Sequence, residues 1–295
     1  MSEAPEIAAV VVACDSGPWL AECVRRLLAS EPAVEVLVVD NASRDGSIER
    51  LPPGVRLLRS ARNLGFAAAC NLGAQASTAP FLAFVNPDAL VERDTLARLL
   101  AKIRGRREIG LVGAMLVDGE GRADPACRRH DPTPWRALMT LTGLSRLRRR
   151  FPALAGIEAD PVPMPEDLEY PDAVSGALML MPRRAFAAVG GFDEDYFLHG
   201  EDLDLCRRLR RAGLRVALAA DVKAVHLRGT SSRRRRLFVA WHKHRGMLRY
   251  FRRFERERMP LGTRWTVPLA IWGGFLLRLP ALLLRELQDR FRPDA

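Results

Sequence analysis

A run of acids opens a helix-compatible stretch at Glu201-Asp202-Leu203-Asp204-Leu205-Cys206. On a helix, Asp202 shares a face with Leu205, Cys206 and Leu209, whereas Glu201, Asp204 and Arg208 point elsewhere. One carboxylate is thereby aimed inward at the amino end, where the helix dipole favours its charge. Such an acid, placed shortly after the turn Gly190-Gly191-Phe192-Asp193-Glu194-Asp195, is costly for structure alone and suits acid–base work. The plainer alternative is an N-cap, or an ion pair with Arg207 or Arg210.

Three further constellations could handle a phosphorylated ligand. Asn86-Pro87-Asp88 puts an acid on a tight turn after an apolar run, which suits Mg²⁺ or Mn²⁺ bridging a diphosphate, because hard cations take oxygen ligands and keep waters. Asp40 opens Asp40-Asn41-Ala42-Ser43-Arg44-Asp45-Gly46-Ser47. A carboxylate at a strand end can accept a nucleobase imide N–H, although these residue types also make an ordinary turn. Arg62-Asn63-Leu64-Gly65-Phe66, with Asn71 beyond, offers a guanidinium for phosphate and a glycine for close backbone approach, or simply a capped helix start. His226 stands alone after an apolar segment and reads as a core residue unless the fold returns it to Asp88.

The elements that must position these groups alternate. Ile7 to Ala13 is a continuous apolar run, read as a buried parallel strand. Pro18 suits a first helical turn, with Leu20, Cys23, Val24 and Leu27 on one face. Strands follow at Val34 to Val39, Val55 to Leu58 and Phe81 to Val85, with a helix entered from the loop at Asn63. Asp94 could cap a helix whose Leu96, Leu99, Leu100 and Ile103 form a stripe. The pattern predicts a doubly wound α/β sheet, in which ligands bind at the carboxyl ends of the strands; Asp40 and Asp88 both stand at such ends. Further on, Ile109 to Val117, Ala173 to Met181 and Leu214 to Ala219 are strand-like. Arg122 to Pro171 is Pro- and Arg-rich with little periodicity, as a binding loop would be.

Composition narrows the partners. The 295 residues are 48% hydrophobic and 27% charged, a globular balance, and the net charge of +11 predicts an acidic partner: nucleic acid, anionic lipid or a phosphorylated substrate. Five cysteines without CxxC spacing read as reduced core thiols, and the short acidic start shows no signal peptide, which together predict a cytoplasmic protein. From Arg233 the chain is arginine-rich, and Leu237, Trp241, His244, Leu248 and Phe251 recur at helical spacing, describing a basic amphipathic helix. Thr266 to Leu277 and Leu279 to Leu284 are apolar but interrupted by Arg278 and Pro280. A span needs about 20 apolar residues, so this tail is expected to lie in the interface of an anionic membrane, with Trp265 and Trp272 at headgroup depth.

Taken in order, these motifs resemble glycosyltransferase family 2, in its bacterial rhamnosyltransferase-like branch. The match runs through Val39-Asp40-Asn41-Ala42-Ser43, Arg62-Asn63-Leu64-Gly65-Phe66, Asn86-Pro87-Asp88, Ser175-Gly176-Ala177, Gly191-Phe192-Asp193-Glu194, Glu201-Asp202, Arg208, Gly213 and His226. It covers roughly residues 7 to 230. The resemblance implies a GT-A fold over 1–230, with a nucleotide-sugar half to about 105, an acceptor half beyond it, and a helical tail at 231–295. It implies inverting transfer from a nucleoside-diphosphate sugar, dTDP-L-rhamnose first, to a glycan or lipid-linked acceptor. By position, Asp40, Asn41, Ser43, Arg62, Asn63, Gly65, Asn71 and Asn86 would serve the donor. Asp88 and His226 would hold a divalent cation, Asp202 would be the general base, and Ser175, Gly176, Asp193 and Glu201 would wall the acceptor side. The family's usual Asp-x-Asp is here Asn86-Pro87-Asp88, one anionic ligand fewer.

Other classes fit less well. A nucleic-acid binder would interleave its basic residues with aromatics on a sheet, whereas here they concentrate in the tail, so no nucleic-acid partner is expected. An inactive sugar-nucleotide scaffold would have no use for Asp88, Asp202 and His226 together. A nucleotidyltransferase has no obvious place for the Glu201-Asp202 helix.

Overall fold

The computed structural model describes residues 4–158, 167–227 and 235–291, so Arg233 and Arg234 of the arginine run lie outside the described residues. The first half winds β1 (Ile7–Ala13), α1 (Trp19–Leu28), β2 (Glu35–Asp40), β3 (Arg56–Arg59), α2 (Phe66–Gln75), β4 (Phe81–Val85), β5 (Ala89–Leu90) and α3 (Thr95–Ile103). Every residue of β1 is buried, as its unbroken apolar run requires for a strand covered on both faces. The stripes on α1 and α3 point to the core, with Leu20, Cys23, Val24 and Leu27, and Leu96, Leu99, Leu100 and Ile103, all buried. Asp94 precedes α3 but makes no side-chain cap; Thr95 Oγ1 instead accepts from Glu92 N at 2.9 Å, so the turn is closed one residue on.

The second half adds β6 (Ile109–Val117), β7 (Arg128–Arg129), α4 (Pro134–Thr142), β8 (Leu168–Glu169), β9 (Ala173–Val174), β10 (Leu178–Pro182), α5 (Arg183–Ala188), α6 (Glu201–Arg211) and β11 (Arg215–His226). Among the described residues the main sheet runs β3-β2-β1-β4-β10-β6-β11-β5, with β8 also on β11. The strands from β3 to β4 are parallel, as a doubly wound sheet requires, while β10 is antiparallel to both its neighbours, so the sheet is mixed. The single strand expected over Ala173 to Met181 is two, because Ser175-Gly176-Ala177 leaves the sheet between β9 and β10 to meet other partners. The segments at Leu214 to Ala219 and before His226 are instead one strand, with a register shift between Ala219 and Lys223. That shift carries β11 on to pair with β5, setting His226 opposite Ala89.

The tail forms α7 (Arg236–Tyr250), a π-helical turn at Phe251–Glu255, and α8 (Thr263–Phe291). The α7 stripe is divided. His244, Leu248 and Phe251 are buried, whereas Trp241 stays partly exposed and packs on Trp272 and Phe275 of α8. Arg278 and Pro280 do not end the apolar run, which corrects the sequence expectation. Pro268 and Pro280 lie inside a continuous helix: each forfeits one backbone hydrogen bond, and the strong helix formers on either side carry the helix past it. Thr263–Asp289 is long and apolar enough to cross a membrane by length and composition, and it is mostly exposed.

Candidate active site

The carboxyl ends of β1, β2 and β4 open on a cavity of about 290 Å³. Asn41, Asn63, Gly65, Asn86, Asp88 and His226 line it, and Phe197, His199 and Phe238 close the far side. Asn41 organises the near wall. Its Nδ2 donates to Asn63 Oδ1 (2.9 Å) and Gly65 O (3.2 Å), and its Oδ1 accepts from Leu64 N (2.8 Å). Gly65 has φ +86°, and a Cβ there would stand 2.7 Å from Phe197 O, which accepts from Phe66 N at 2.8 Å. The close approach expected of Gly65 is thus to the Phe197 backbone, and it draws the Gly190–Gly200 loop over the cavity.

The fold returns His226 to Asp88. Nε2 lies 3.3 Å from Asp88 Oδ1, and Nδ1 lies 3.6 Å from Asp124 Oδ2. A carboxylate beside an imidazole on a cavity wall is a donor pair for a divalent cation. No group of three or more His, Cys, Asp or Glu suited to a metal occurs among the described residues. These two residues therefore fit an ion that draws its remaining ligands from a bound diphosphate and water, as Mg²⁺ and Mn²⁺ do, rather than a closed four-ligand site.

Asp202 stands in the first turn of α6, behind the left-handed Gly200. Its Oδ2 accepts from Arg129 Nη2 at 2.5 Å and from Gly176 N at 3.1 Å, and its Oδ1 accepts from Leu203 N at 2.8 Å. Burial alone would raise this carboxyl, but the Arg129 guanidinium and the two N–H groups hold it below the ordinary carboxylate range. Glu201 is the opposite case. Burial first, then the Asp202 charge, pushes its carboxyl up, and Oε2 is buried without a hydrogen-bond partner. The two neighbouring carboxyls are thus pushed in opposite directions, Glu201 up by burial and Asp202 down by Arg129. Asp202 also acts on His199, whose imidazole burial depresses to about 4, so it is neutral where it lines the cavity. The backbone links both centres: Asn86 N donates to Ala177 O at 2.9 Å, one residue beyond the Gly176 that holds Asp202.

The expectation that Asp202 alone points inward is corrected, because Glu201 and Asp204 are buried, and more deeply than Asp202, which is partly buried. A one-stripe reading assumes one covered face, whereas α6 is also covered by the tail: Arg253 reaches Asp204 at 3.1 Å, and Arg207 pairs with Glu255 at 2.6 Å. The ion pair weighed as the plainer reading exists, with Arg129 rather than Arg207 or Arg210.

Other residues singled out from sequence divide sharply. Asp40 is buried at the end of β2, where Oδ1 accepts from Ser43 N at 2.9 Å; Ser43 Oγ accepts from Asp15 N at 3.4 Å, and neither residue lines the cavity. Arg62 is exposed and not brought to it. Asn71 ties α2 to the glycine turn, with Nδ2 donating to Phe192 O and Oδ1 accepting from Phe192 N, both at 2.9 Å. Asp193 is no wall of the cavity: Arg249 grips it bidentately at 2.7–3.0 Å, so it anchors α7. Ser175 Oγ accepts from Ala177 N at 3.3 Å and shapes the turn that presents Gly176. Arg129 and Asp124 were not singled out. Both lie in the aperiodic stretch, and only the short β7–β9 pairing, Arg129 opposite Ala173, brings Arg129 to α6.

Comparison with known proteins gives the family and the fold. The family model described as "Glycosyl transferase family 2" matches residues 8–162, and one described as "N-terminal domain of galactosyltransferase" matches 163–228. The chain is 31% identical over 290 residues to the N-acetylglucosaminyl-diphospho-decaprenol L-rhamnosyltransferase of Mycobacterium tuberculosis, covering 91% of this chain and 92% of that protein. It is 26% identical over 156 residues to rhamnosyltransferase WbbL of Escherichia coli, covering 50% and 52%. Among solved structures, the mannosyltransferase PcManGT from Pyrobaculum calidifontis, in complex with GDP-Man and Mn²⁺, superposes with TM-score 0.57 at 18% identity, over 97% of this chain and 74% of that one. GalNAc-T7 with UDP, GalNAc and Mn²⁺ gives 0.59 at 17%, over 85% and 48%. At such identities the likeness is one of fold.

Proposed function

The chain belongs to glycosyl transferase family 2 and is a glycosyltransferase of GT-A-like fold, and from that premise we propose that it moves L-rhamnose, with inversion, from dTDP-L-rhamnose to a hydroxyl of a lipid-linked cell-envelope acceptor. The observation that carries this reading is the meeting of Asp88 and His226 on the cavity wall, joined through Asn86 and the Ser175–Ala177 turn to an ionised Asp202. The donor and acceptor classes follow the mycobacterial relative, whose name specifies rhamnosyl transfer to a decaprenol-linked diphospho-sugar.

In the proposed reaction the acceptor oxygen attacks the anomeric carbon in line with the departing nucleoside diphosphate. Its proton passes to Asp202. Oδ1 takes it, because among the described residues that oxygen accepts the Leu203 N–H alone, while Oδ2 is committed to Arg129 and Gly176. Asp88 and His226 would hold a divalent cation, which when bound neutralises charge on the leaving diphosphate. Asn41, Asn63 and Gly65 shape the donor cavity, and the neutral His199 closes it without adding charge. Asp40, at the end of β2 next to the cavity-lining Asn41, is the residue proposed to read a base imide. In the same reading α8, with Trp265 and Leu277 exposed, rests at the cytoplasmic face of a membrane, where a lipid-linked acceptor is presented.

A donor panel tests this directly: nucleoside diphosphate release is followed with dTDP-L-rhamnose and with UDP- and GDP-linked sugars, in the presence of a polyprenyl-diphospho-sugar acceptor. Acceptor-dependent release from dTDP-L-rhamnose is expected. Release from another donor alone would replace the sugar assignment, and release from none would remove the reading.

A further inference from the structure

Between Arg129, which grips Asp202, and Glu158, the chain makes an excursion away from the sheet. It is ordered by its own contacts: Trp135 Nε1 donates to Ala153 O at 2.7 Å, Ile157 N to Thr140 Oγ1 at 3.0 Å, and His130 N to Ile157 O at 2.7 Å. Its base is fixed to the catalytic half, where Asp131 accepts from Arg210 (2.5 Å) and Tyr250 (2.9 Å). Only Met139 of α4 is turned into the protein.

The outer side is apolar. Trp135, Leu138, Leu141, Leu144, Leu147 and Phe151 are each 41–54% exposed, although the excursion is held closed and could have buried them. The same stretch carries Arg136, Arg146, Arg148, Arg149 and Arg150, and no acid occurs between Asp131 and Glu158. Clustered large apolar side chains mark a docking surface rather than ordinary scatter. Interleaved arginines choose its occupant. A second copy would bring an equal set of like charges against them, whereas an anionic bilayer offers phosphates for the guanidiniums and acyl chains for the leucines and aromatics.

We propose that residues 134–151 are a membrane-docking element that seats on an anionic bilayer surface, in addition to and independently of α8. It rests on exposure and charge, not on the transferase reading, and its test measures binding rather than turnover.

Full-length protein is floated with vesicles of phosphatidylcholine alone and of phosphatidylcholine mixed with phosphatidylglycerol. The wild type is expected to float with the mixed vesicles. Combining Leu144→Ser, Leu147→Ser, Phe151→Ser, Arg149→Gln and Arg150→Gln should lower that partition on the order of ten-fold or more with α8 untouched. As a second reading that needs no extensive substitution, an environment-sensitive fluorophore on Leu141→Cys should shift to the blue with mixed vesicles and not with neutral ones. Wild-type-like flotation of the substituted protein, or an unshifted fluorophore, overturns the proposal. So does a wild-type dimer that the same substitutions dissociate, since a second copy would then be the occupant.

Discussion

Arg129 Nη2 lies 2.5 Å from Asp202 Oδ2, so the acid assigned to deprotonate the acceptor is itself one half of a partly buried ion pair. The pair keeps Asp202 ionised at the cost of making it a weaker base, and it ties the start of the acceptor-side excursion to the first turn of α6.

Asp202→Asn removes the proton acceptor while keeping the shape that Gly176 N and Leu203 N hold. Acceptor-dependent nucleoside diphosphate release should fall by ~10²–10⁴-fold. Donor affinity, measured by calorimetry, should be retained. Unchanged turnover would mean that another group takes the proton.

Arg129→Lys should move the acid limb of the pH–rate profile. The guanidinium lowers the Asp202 carboxyl, so weakening it lets that carboxyl rise, and activity is then lost at a higher pH than in the wild type. Stability follows the same sign. Because the folded value is depressed, Asp202 contributes stability that is full above the usual carboxylate range and is lost as pH falls through the folded value. Arg129→Ala goes further and leaves a partly buried charge with only its two backbone donors, at a cost of about 1–3 kcal/mol, which a denaturant melt would register. An unmoved acid limb in the lysine variant would separate Arg129 from the chemistry.

His226→Ala should raise the Mg²⁺ or Mn²⁺ concentration needed for half-maximal activity, and calorimetry should show weaker nucleoside diphosphate binding in Mn²⁺ but not in EDTA. Asp88 would keep one carboxylate for the ion, so activity should recover at high cation. Equal cation dependence in both proteins would confine His226 to a packing role.

Much of this was legible in the chain. The strands β1, β4 and β6 and the stripes of α1 and α3 follow from runs and spacings that local geometry dictates, and Asp88 stands out because it follows an apolar strand. What was not legible depends on contacts between distant segments. His226 reaches Asp88 only through the register of β11 on β5, and Arg129 reaches Asp202 only because two-residue strands pair. Asn71 and Asp193 show the reverse failure. Their motif neighbourhood suggests ligand contact, yet their polar atoms are taken by Phe192 and Arg249.

Gly65→Ala should cost stability before it affects chemistry. The backbone at φ +86° and ψ 165° lies in a region essentially confined to glycine, at about 1–3 kcal/mol for any side chain, and the added Cβ meets Phe197 O at 2.7 Å. A lower melting temperature with weakened donor binding is expected, because the loop over the cavity must lift. A variant melting like the wild type would show that the loop yields freely.

The packing of the tail on α6 bears on where this enzyme could be cut. The last strand closes at His226, and family likeness alone would end the catalytic unit near there. Yet Arg253 neutralises the fully buried Asp204, Tyr250 and Glu255 receive Arg207, and Gly246 lets α7 come within touching distance of the His199 backbone. A protein shortened to residue 230 would leave Asp204 with Arg208 alone and Arg207 with Asp131 alone in an uncovered groove, and should be less stable and less soluble. One shortened just after Arg258 keeps every one of these partners and sheds only the greasy helix, which makes it the natural starting point for crystals and for inhibitor screening.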